Sequence, residues 1–457
     1  MKKISLPVSK SLYIRKLICN FLYNGFVGEI PSDSPEDIRV VYQSLTHVFK
    51  VQSDEVEVAE TQWIDVRDCG AAYRFLMAVL AVIPGSWLLT GTPRLLQRPI
   101  KELVDALRSI GADIQYCSCR DALQHVSTKS MPSGWLIHGK PLHASELIID
   151  CTRSGQFASA LWLISGKIGL QKLHILPENP PSLSYIEMTK AVVNESVKLE
   201  DGHLADWSAA VYWYARLLLE GQMQSSNRPF PSSDTALGEA LSSYKLQYLD
   251  LSSIQSDAVI ARWFANWGIE SRQAEDGVVI SHNEHLNKPQ NMMELDMSQN
   301  LDLVPVLACM ACLWPQKMVF NGVANLKYKE SNRLQIIQEQ LSAFAKISVN
   351  TYNGVDDNQL VINSCRDALQ HVSTKNDGVN SGRDAMHCVS TNCSNGNNAN
   401  RPDADFIFDA HNDHRFVMGF SLFALYGKVQ IKGFDCVRKS YPNFKAEGVV
   451  AGTDIVG

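Results

Sequence analysis

Apolar positions along the chain recur at two spacings. In "SKSLYIRKLICNFLYNG", Leu12, Leu17, Ile18 and Phe21 share one face of a 3.6-residue period, and Gly25 is a natural stop, so a helix is expected. "GAAYRFLMAVLAVIPG" predicts a second helix with a glycine at its start, and "SWLLTG" a strand. "RPIKELVDALRSIG" predicts a helix opened by Pro99 near its first turn and closed by Gly111. The strands "ADIQY" and "GWLIHG" follow, then "SGQFASALWLISG" as a helix. The second half repeats this grammar. "DWSAAVYWYARLLLEG", "DLVPVLACMACLW" and "KESNRLQIIQEQLSAFA" read as helices, with the strands "KMVFNG", "ISVNTY" and "QLVIN" among them. Alternating strands and helices predict an α/β chain, and the similar halves predict two related domains.

Two segments break the pattern. "SCRDALQHVSTK" stands at Ser118–Lys129, between two expected strands, and again letter for letter at Ser364–Lys375. The second copy runs on into an Asn-, Ser- and Gly-rich stretch without apolar periodicity, which holds a looser copy, "GRDAMHCVST", at Gly382–Thr391.

Length and composition narrow the class. At 457 residues the chain exceeds one ordinary core, which again favours two domains. The net charge of −6 argues against nonspecific nucleic-acid binding, yet leaves room for a local basic pocket. The best apolar run, Phe75 to Leu89, is interrupted by Pro84 and Gly85, so no membrane span is expected. Ser9, Lys10, Arg15 and Lys16 interrupt any signal-peptide core at the start, and a cytoplasmic protein is the expectation. Of 11 cysteines, Cys117, Cys119, Cys365, Cys388 and Cys393 lie in or beside the repeats. Cys309 and Cys312 fall in an apolar run with no second pair nearby, which reads as core in a reducing compartment rather than as a metal knuckle.

Cations cluster where helices and loops begin. "SKSLYIR" places Lys10 and Ser11 at a helix N-terminus and Arg15 one turn on, where free N–H groups already favour an anion. "RDCGAAYRFL" offers Gly70 and Ala71 for close backbone approach, with Arg74 a turn later. "GTPRLLQRPI" adds Arg94 and Arg98, and "LKYKESNRL" puts Lys329, Glu330 and Arg333 at another expected helix start. "HNDHRFVMGF" brings Asp413, His414 and Arg415, and "RKSYPNF" brings Lys439. So many cations at element ends, in an acidic protein, point to a small polyanion as ligand. His411 and His414 lack a third metal ligand at suitable spacing, and a metal is not expected. There is no P-loop, no GxGxxG after a strand and no GxSxG.

Taken in order, these stretches resemble the EPSP synthase (3-phosphoshikimate 1-carboxyvinyltransferase) branch of the enolpyruvyl transferases. "PVSKSLYIR" is similar to P-G-S-K-S-x-x-x-R, "DCGAAYRFLMAVLA" to N-A-G-T-A-x-R, and "LTGTPRLLQRPIKELVDALRSIGADI" to the most recognisable line of that family. "SGQFASALW" resembles S-S-Q-F, "SYIEMT" resembles P-Y-I-x-M-T, and "DWSAA" resembles D-A-S-S-A. "DMSQNLDLVP", "LKYKESNRL" and "NDHRFVMGFSL" are similar to D-M-x-x-x-P-D, R-x-K-E-S/T-D-R-L and N/G-D-H-R-M-A-M. The likeness runs through nearly the whole chain outside the repeats.

The resemblance implies an α/β fold (α+β by some schemes), a two-domain inverted α/β barrel built from repeated βαββαβ units. Residues 10–203 would form the N-terminal domain, with an inserted loop at about 118–129. Residues 1–9 with 204–457 would form the C-terminal one, with an insertion at about 364–400. The implied reaction moves the enolpyruvyl group of phosphoenolpyruvate to the 5-hydroxyl of shikimate 3-phosphate by addition and elimination, without metal or organic cofactor. Lys10, Gly70, Arg98, Gln156, Arg333, Arg415 and Lys439 would surround phosphoenolpyruvate. Ser11, Arg15, Ser154, Gln156, Ser182, Asp302, Asn325 and Lys329 would hold shikimate 3-phosphate, with Tyr185 alongside its ring. Asp302 would act as base at the 5-hydroxyl and Glu330 at the methylene carbon, with Lys10 as a competing proton carrier. A monomer is expected, with no nucleic-acid or membrane partner.

Four positions depart from the pattern. Val8 stands for a glycine, Asp68 for asparagine, Ala71 for threonine, and Gly155 for the second serine of S-S-Q. Asp68 is the least expected, since a carboxylate near an anion site repels; pairing with Arg67 or Arg98, or pointing away, would relieve it. Two rival readings are the sister transferase acting on UDP-N-acetylglucosamine and a noncatalytic anion-binding homologue. The first would carry a cysteine in the loop before Arg98-Pro99, where "PRLLQRP" has none. The repeated peptide overlaps no motif and reads as an in-frame insertion taken up by loops.

Overall fold

The computed structural model describes residues 1–53, 61–118, 132–194, 204–225, 243–283, 292–365 and 406–448. Apart from Ser118, Ser364 and Cys365, all copies of the repeated peptide lie outside the described residues. The expectation that they are loop insertions lies there too.

The expected helix at the N-terminus runs Lys10–Cys19, widens into a π turn over Asn20–Asn24, and stops at Gly25, whose φ of 71° suits glycine. Helix Gly70–Val82 buries all but one of its residues, and helix Val304–Leu313 buries every one. Such helices are apolar on all sides because they run through a core. Cys309 and Cys312 lie in the second of them, fully buried and free, as apolar packing residues. Pro99 does not open its helix: the helix is Lys101–Ser109 with Ile100 as cap. The carbonyl of Pro99 instead accepts two hydrogen bonds from Arg74. Lys329 and Glu330 also fall short of the helix expected around them. That helix begins at Arg333, capped by the Asn332 side chain, and a 3-10 turn, Ala324–Tyr328, precedes the pair.

Three four-stranded sheets share one order and polarity. In the first, Gln62–Asp65 lies parallel to Gly85–Thr90, which pairs antiparallel with Gly134–Gly139, itself antiparallel to Asp113–Cys117. The same sequence of pairings holds for Met292–Asp296, Lys317–Asn321, Val355–Ser364 and Ala345–Tyr352. The third sheet takes its first strand, Lys2–Ser5, from the chain start, followed by Ser243–Gln247, Gly277–His282 and Ile269–Ala274. Two parallel pairs complete the described strands: Glu146–Asp150 with Lys172–Leu176, and Phe406–Asp409 with Val429–Lys432.

Buried apolar residues form two large clusters. One spans Val8 to Ile186; the other joins Ile4 and Leu6 to residues from Ala205 to Phe444. The chain therefore has a mixed α/β fold with two cores. Among the described residues, no helix is long and apolar enough to cross a membrane.

Candidate active site

Helix starts converge where the two cores meet. Lys10, Gly70 and Gln156 are the first residues of their helices, and Ser182 caps the helix Leu183–Val193. Asp302 sits on the 3-10 turn leading into Val304–Leu313, and Arg333 and His414 each open a helix. Their unpaired N–H groups and dipoles give the region a positive bias before any side chain is counted. Several hydrogen bonds tie the halves together here: Ser182 N to Ser298 O at 2.9 Å, Tyr185 Oη to Asp257 at 3.0 Å, and Asn325 Nδ2 to Thr152 O at 2.9 Å. Ser182 has a left-handed backbone, φ 63°, uncommon for a residue with a side chain.

A cavity of about 100 Å³ is lined by Lys10, Ser11, Arg15, Gly70, Arg98, Ser154, Gln156, Ser182, Asn325, Lys329, Asp302 and Glu330. All twelve were expected at the site. The lining also holds Asp37, Arg74, Arg153, Tyr185 and Tyr328. Six cationic side chains thus face three carboxylates. A second cavity, of about 500 Å³, shares Arg98 and Glu330 with the first and adds Asp68, Thr92, Arg94, Asn412 and Lys439.

Arg333 and Arg415 line neither cavity. Arg333 lies behind the wall, almost wholly buried, and donates to Asp413 at 2.7 Å, Asp302 at 2.8 Å and Glu330 at 2.9 Å. Its guanidinium holds both candidate catalytic carboxylates in place, so a direct contact with substrate is not what its geometry favours. Arg415 donates to Ser208 at 2.7 Å and approaches Asp302 at 3.9 Å. Its Nε and Nη1, and the Nε and Nη1 of Arg98, are buried and without a hydrogen-bond partner among the described residues. Unsatisfied buried cationic donors are costly, and a multi-oxygen anion is the natural complement.

The electrostatics follow from this packing. Burial would raise the Asp302 pKa, but Lys329 at 3.1 Å, with Arg333 and Arg415, holds its carboxyl well below the usual range. Glu330 is similarly held low against its burial by Arg333 and Arg98, with Asp302 opposing. Lys10 is partly buried, and its desolvation disfavours the charge, but Asp37 at 2.9 Å outweighs this and raises its pKa. His414 is pushed well below its ordinary value by burial, then by Lys10 and Arg415. Gly70 allows close approach: a Cβ there would overlap the Arg98 guanidinium.

The departures have partners of their own. Asp68 pairs with neither Arg67 nor Arg98; it accepts from Lys439 Nζ at 3.0 Å and from the Thr92 hydroxyl. Arg67 turns instead to Glu36. At Gly155 a Cβ would come within 3.0 Å of the Pro181 carbonyl, so the glycine suits this local packing. Val8 forms an isolated bridge with Ala205.

Asp37 was not anticipated. "SPED" is a helix-start signal, and Asp37 lies in the first turn of Glu36–Gln52, but only the fold sets it against Lys10. Asp257 was also missed. Buried against the Tyr185 hydroxyl and Asn300, its pKa is pushed up to about 6, chiefly by burial.

The chain is similar to known proteins along nearly its whole length. A family model described as EPSP synthase (3-phosphoshikimate 1-carboxyvinyltransferase) matches residues 37–195 and 390–447. A 3-phosphoshikimate 1-carboxyvinyltransferase of Dehalococcoides mccartyi is 26% identical over 97% of this chain and 94% of its own length. One from Bacteroides fragilis is 28% identical over 96% and 93%. In three dimensions, an EPSP synthase from Acinetobacter baumannii superposes with a TM-score of 0.54 at 16% identity, covering 97% of this chain and 94% of the other. Over nearly its full length this chain is similar to proteins of the EPSP synthase family.

Proposed function

We propose that the chain is a 3-phosphoshikimate 1-carboxyvinyltransferase, carrying the enolpyruvyl group of phosphoenolpyruvate to the 5-hydroxyl of shikimate 3-phosphate. The observation that carries this reading is the set of unpartnered buried donors on Arg98 and Arg415, facing two carboxylates held by Arg333. Such a site suits a polyanion that must be attacked while charge is redistributed.

In the addition step, Asp302 accepts the 5-hydroxyl proton as the oxygen bonds to C2 of phosphoenolpyruvate, and Glu330 delivers a proton to C3. In elimination Glu330 takes the proton back from C3 as the bond between C2 and the phosphate oxygen breaks, and the departing phosphate takes up the proton left on Asp302, leaving the enol ether. Both carboxyls are strongly acidic in the free site, so Asp302 is a weak base and Glu330 carries no proton. Two anionic substrates on Arg98, Lys329 and Arg415 would offset the cations that acidify them. Their pKa values would then rise towards the values proton transfer needs. Lys10, held as a cation by Asp37, suits the binding of phosphate better than proton transfer. Arg333 acts by orienting Asp302 and Glu330. Ser11, Arg15, Ser154, Ser182, Asn325 and Lys329 bind the shikimate side, and Gln156, oriented by Arg74 at 2.7 Å, serves both substrates.

The repeated sheet pattern and the two cores support two domains, residues 10–203 and residues 1–9 with 204–457, each an inverted α/β barrel of βαββαβ units. Closure between them would exclude water. A cytoplasmic monomer completes the proposal, with light scattering as its check.

Phosphate release with both substrates, in buffer with a chelator, is the direct test. Turnover is expected with shikimate 3-phosphate and not with UDP-N-acetylglucosamine. Asp302→Asn and Glu330→Gln should each cut kcat by about a hundredfold or more. Substrate binding without turnover in the unaltered chain would overturn the assignment.

A further inference from the structure

Asp68 stands where the resemblance leads one to expect an uncharged asparagine, and its surroundings give it a part in substrate affinity. The carboxylate is fixed on one side by the hydroxyl of Thr92, which also caps the short helix Pro93–Leu96. On the other side it takes a hydrogen bond from Lys439 Nζ at 3.0 Å, across 371 residues of chain. Among the described residues, Lys439 has one further acceptor in reach, the Asn412 carbonyl at 3.4 Å. The pair lines the 500 Å³ cavity together with Arg98 and Glu330, the two residues that also line the smaller one. Arg98 carries donors without a hydrogen-bond partner, its Nη1 lying 3.8 Å from Glu330, and acts on Asp68 through its charge, so an anion arriving at Arg98 meets the carboxylate as a rival for the same cations.

We propose that Asp68 sets this chain's affinity for phosphoenolpyruvate by holding Lys439 until the substrate displaces it. The inference rests on the assignment of Lys439 to phosphoenolpyruvate. The substrate exchanges one anionic partner of Lys439 for another and gains less than it would from an unpaired lysine. Asp68 keeps the Thr92 hydroxyl and is about one-third exposed, so water can solvate it after the exchange. It is a positioning residue: it acts through Lys439 and touches no reacting atom.

The test is steady-state kinetics on the full-length chain with Asp68→Asn, Lys439→Ala and the double variant. Asp68→Asn should lower KM for phosphoenolpyruvate roughly threefold to tenfold, leaving kcat and KM for shikimate 3-phosphate within about twofold. Lys439→Ala should raise KM for phosphoenolpyruvate, and in its background Asp68→Asn should change nothing. If Lys439→Ala leaves that KM unaltered, the assignment of Lys439 fails and the proposal with it. If Lys439→Ala raises KM while Asp68→Asn leaves it unchanged or raises it, Asp68 merely supports Lys439 and the proposal alone is overturned. An Asp68→Asn effect that persists without Lys439 would overturn it too.

Discussion

At the scale of single residues, the site is a balance between burial and charge, and His414 shows its cost. The imidazole is buried beside Lys10, Arg415 and Arg333, with both ring nitrogens unpartnered among the described residues. Its folded pKa lies well below the ordinary 6.5, so between those two values the unfolded chain binds the extra proton. Stability from this group is therefore complete above about pH 6.5 and is lost as pH falls below it. The slope can reach about 1.4 kcal/mol per pH unit for one proton. His282, also lowered by burial, adds in the same direction. Thermal unfolding from pH 7 to 5 should show the decline, and His414→Asn should make it shallower. An unchanged slope in the variant would show that His414 does not titrate on unfolding.

At the scale of elements, helix starts carry the candidate site, and one of them depends on a missing side chain. Gly70 opens helix Gly70–Val82 with ordinary backbone angles, so alanine costs the helix nothing locally. Its methyl would instead push the buried Arg98 guanidinium aside. Gly70→Ala should raise KM for phosphoenolpyruvate by about tenfold or more, with little change in melting temperature or in KM for shikimate 3-phosphate. An unaltered KM would mean that Arg98 yields without loss. Elements of this kind were legible where the apolar period was long and regular, as in Gly70–Val82, Trp207–Ser225 and Val304–Leu313. Short strands such as Lys2–Ser5 and Glu146–Asp150 escaped notice, since four or five residues carry too little alternation to be told from a loop. Helix Glu36–Gln52, which supplies Asp37, escaped despite its length, so the counter-ion of Lys10 went unrecognised.

For the whole molecule, the question is what the repeated peptide does to a chain that folds around it. Cys117 pairs with Gly134 at the end of two adjacent antiparallel strands, so the first copy lies between partners that are already neighbours. Removing Ser118–Lys129 leaves Ser130 to Ser133 to join them, a length that hairpin connections commonly use. The second copy begins at the last residue of strand Val355–Ser364 and precedes Phe406–Asp409. A chain lacking both Ser118–Lys129 and Ser364–Asn400 should keep kcat/KM within about threefold, because long connections between fixed ends cost little. A large loss of activity in a folded deletion variant would give the peptide a role.

Order along the chain was enough to bring out the cation-bearing segments, because helix-start signals and cation types are local properties. Those segments, with the family pattern they carry, already contain twelve of the residues that line the smaller cavity. Three things belonged to the tertiary structure alone. Arg333 stands behind the cavity as the anchor of Asp302, Glu330 and Asp413. Lys10 takes its counter-ion from Asp37, and Lys439 takes Asp68 from the opposite half of the chain. Apart from Arg333 with Glu330, which are three residues apart, each is a pairing of charges separated in sequence. Charge type can be read from one residue, whereas the partner that tunes it is chosen by how two cores pack against each other.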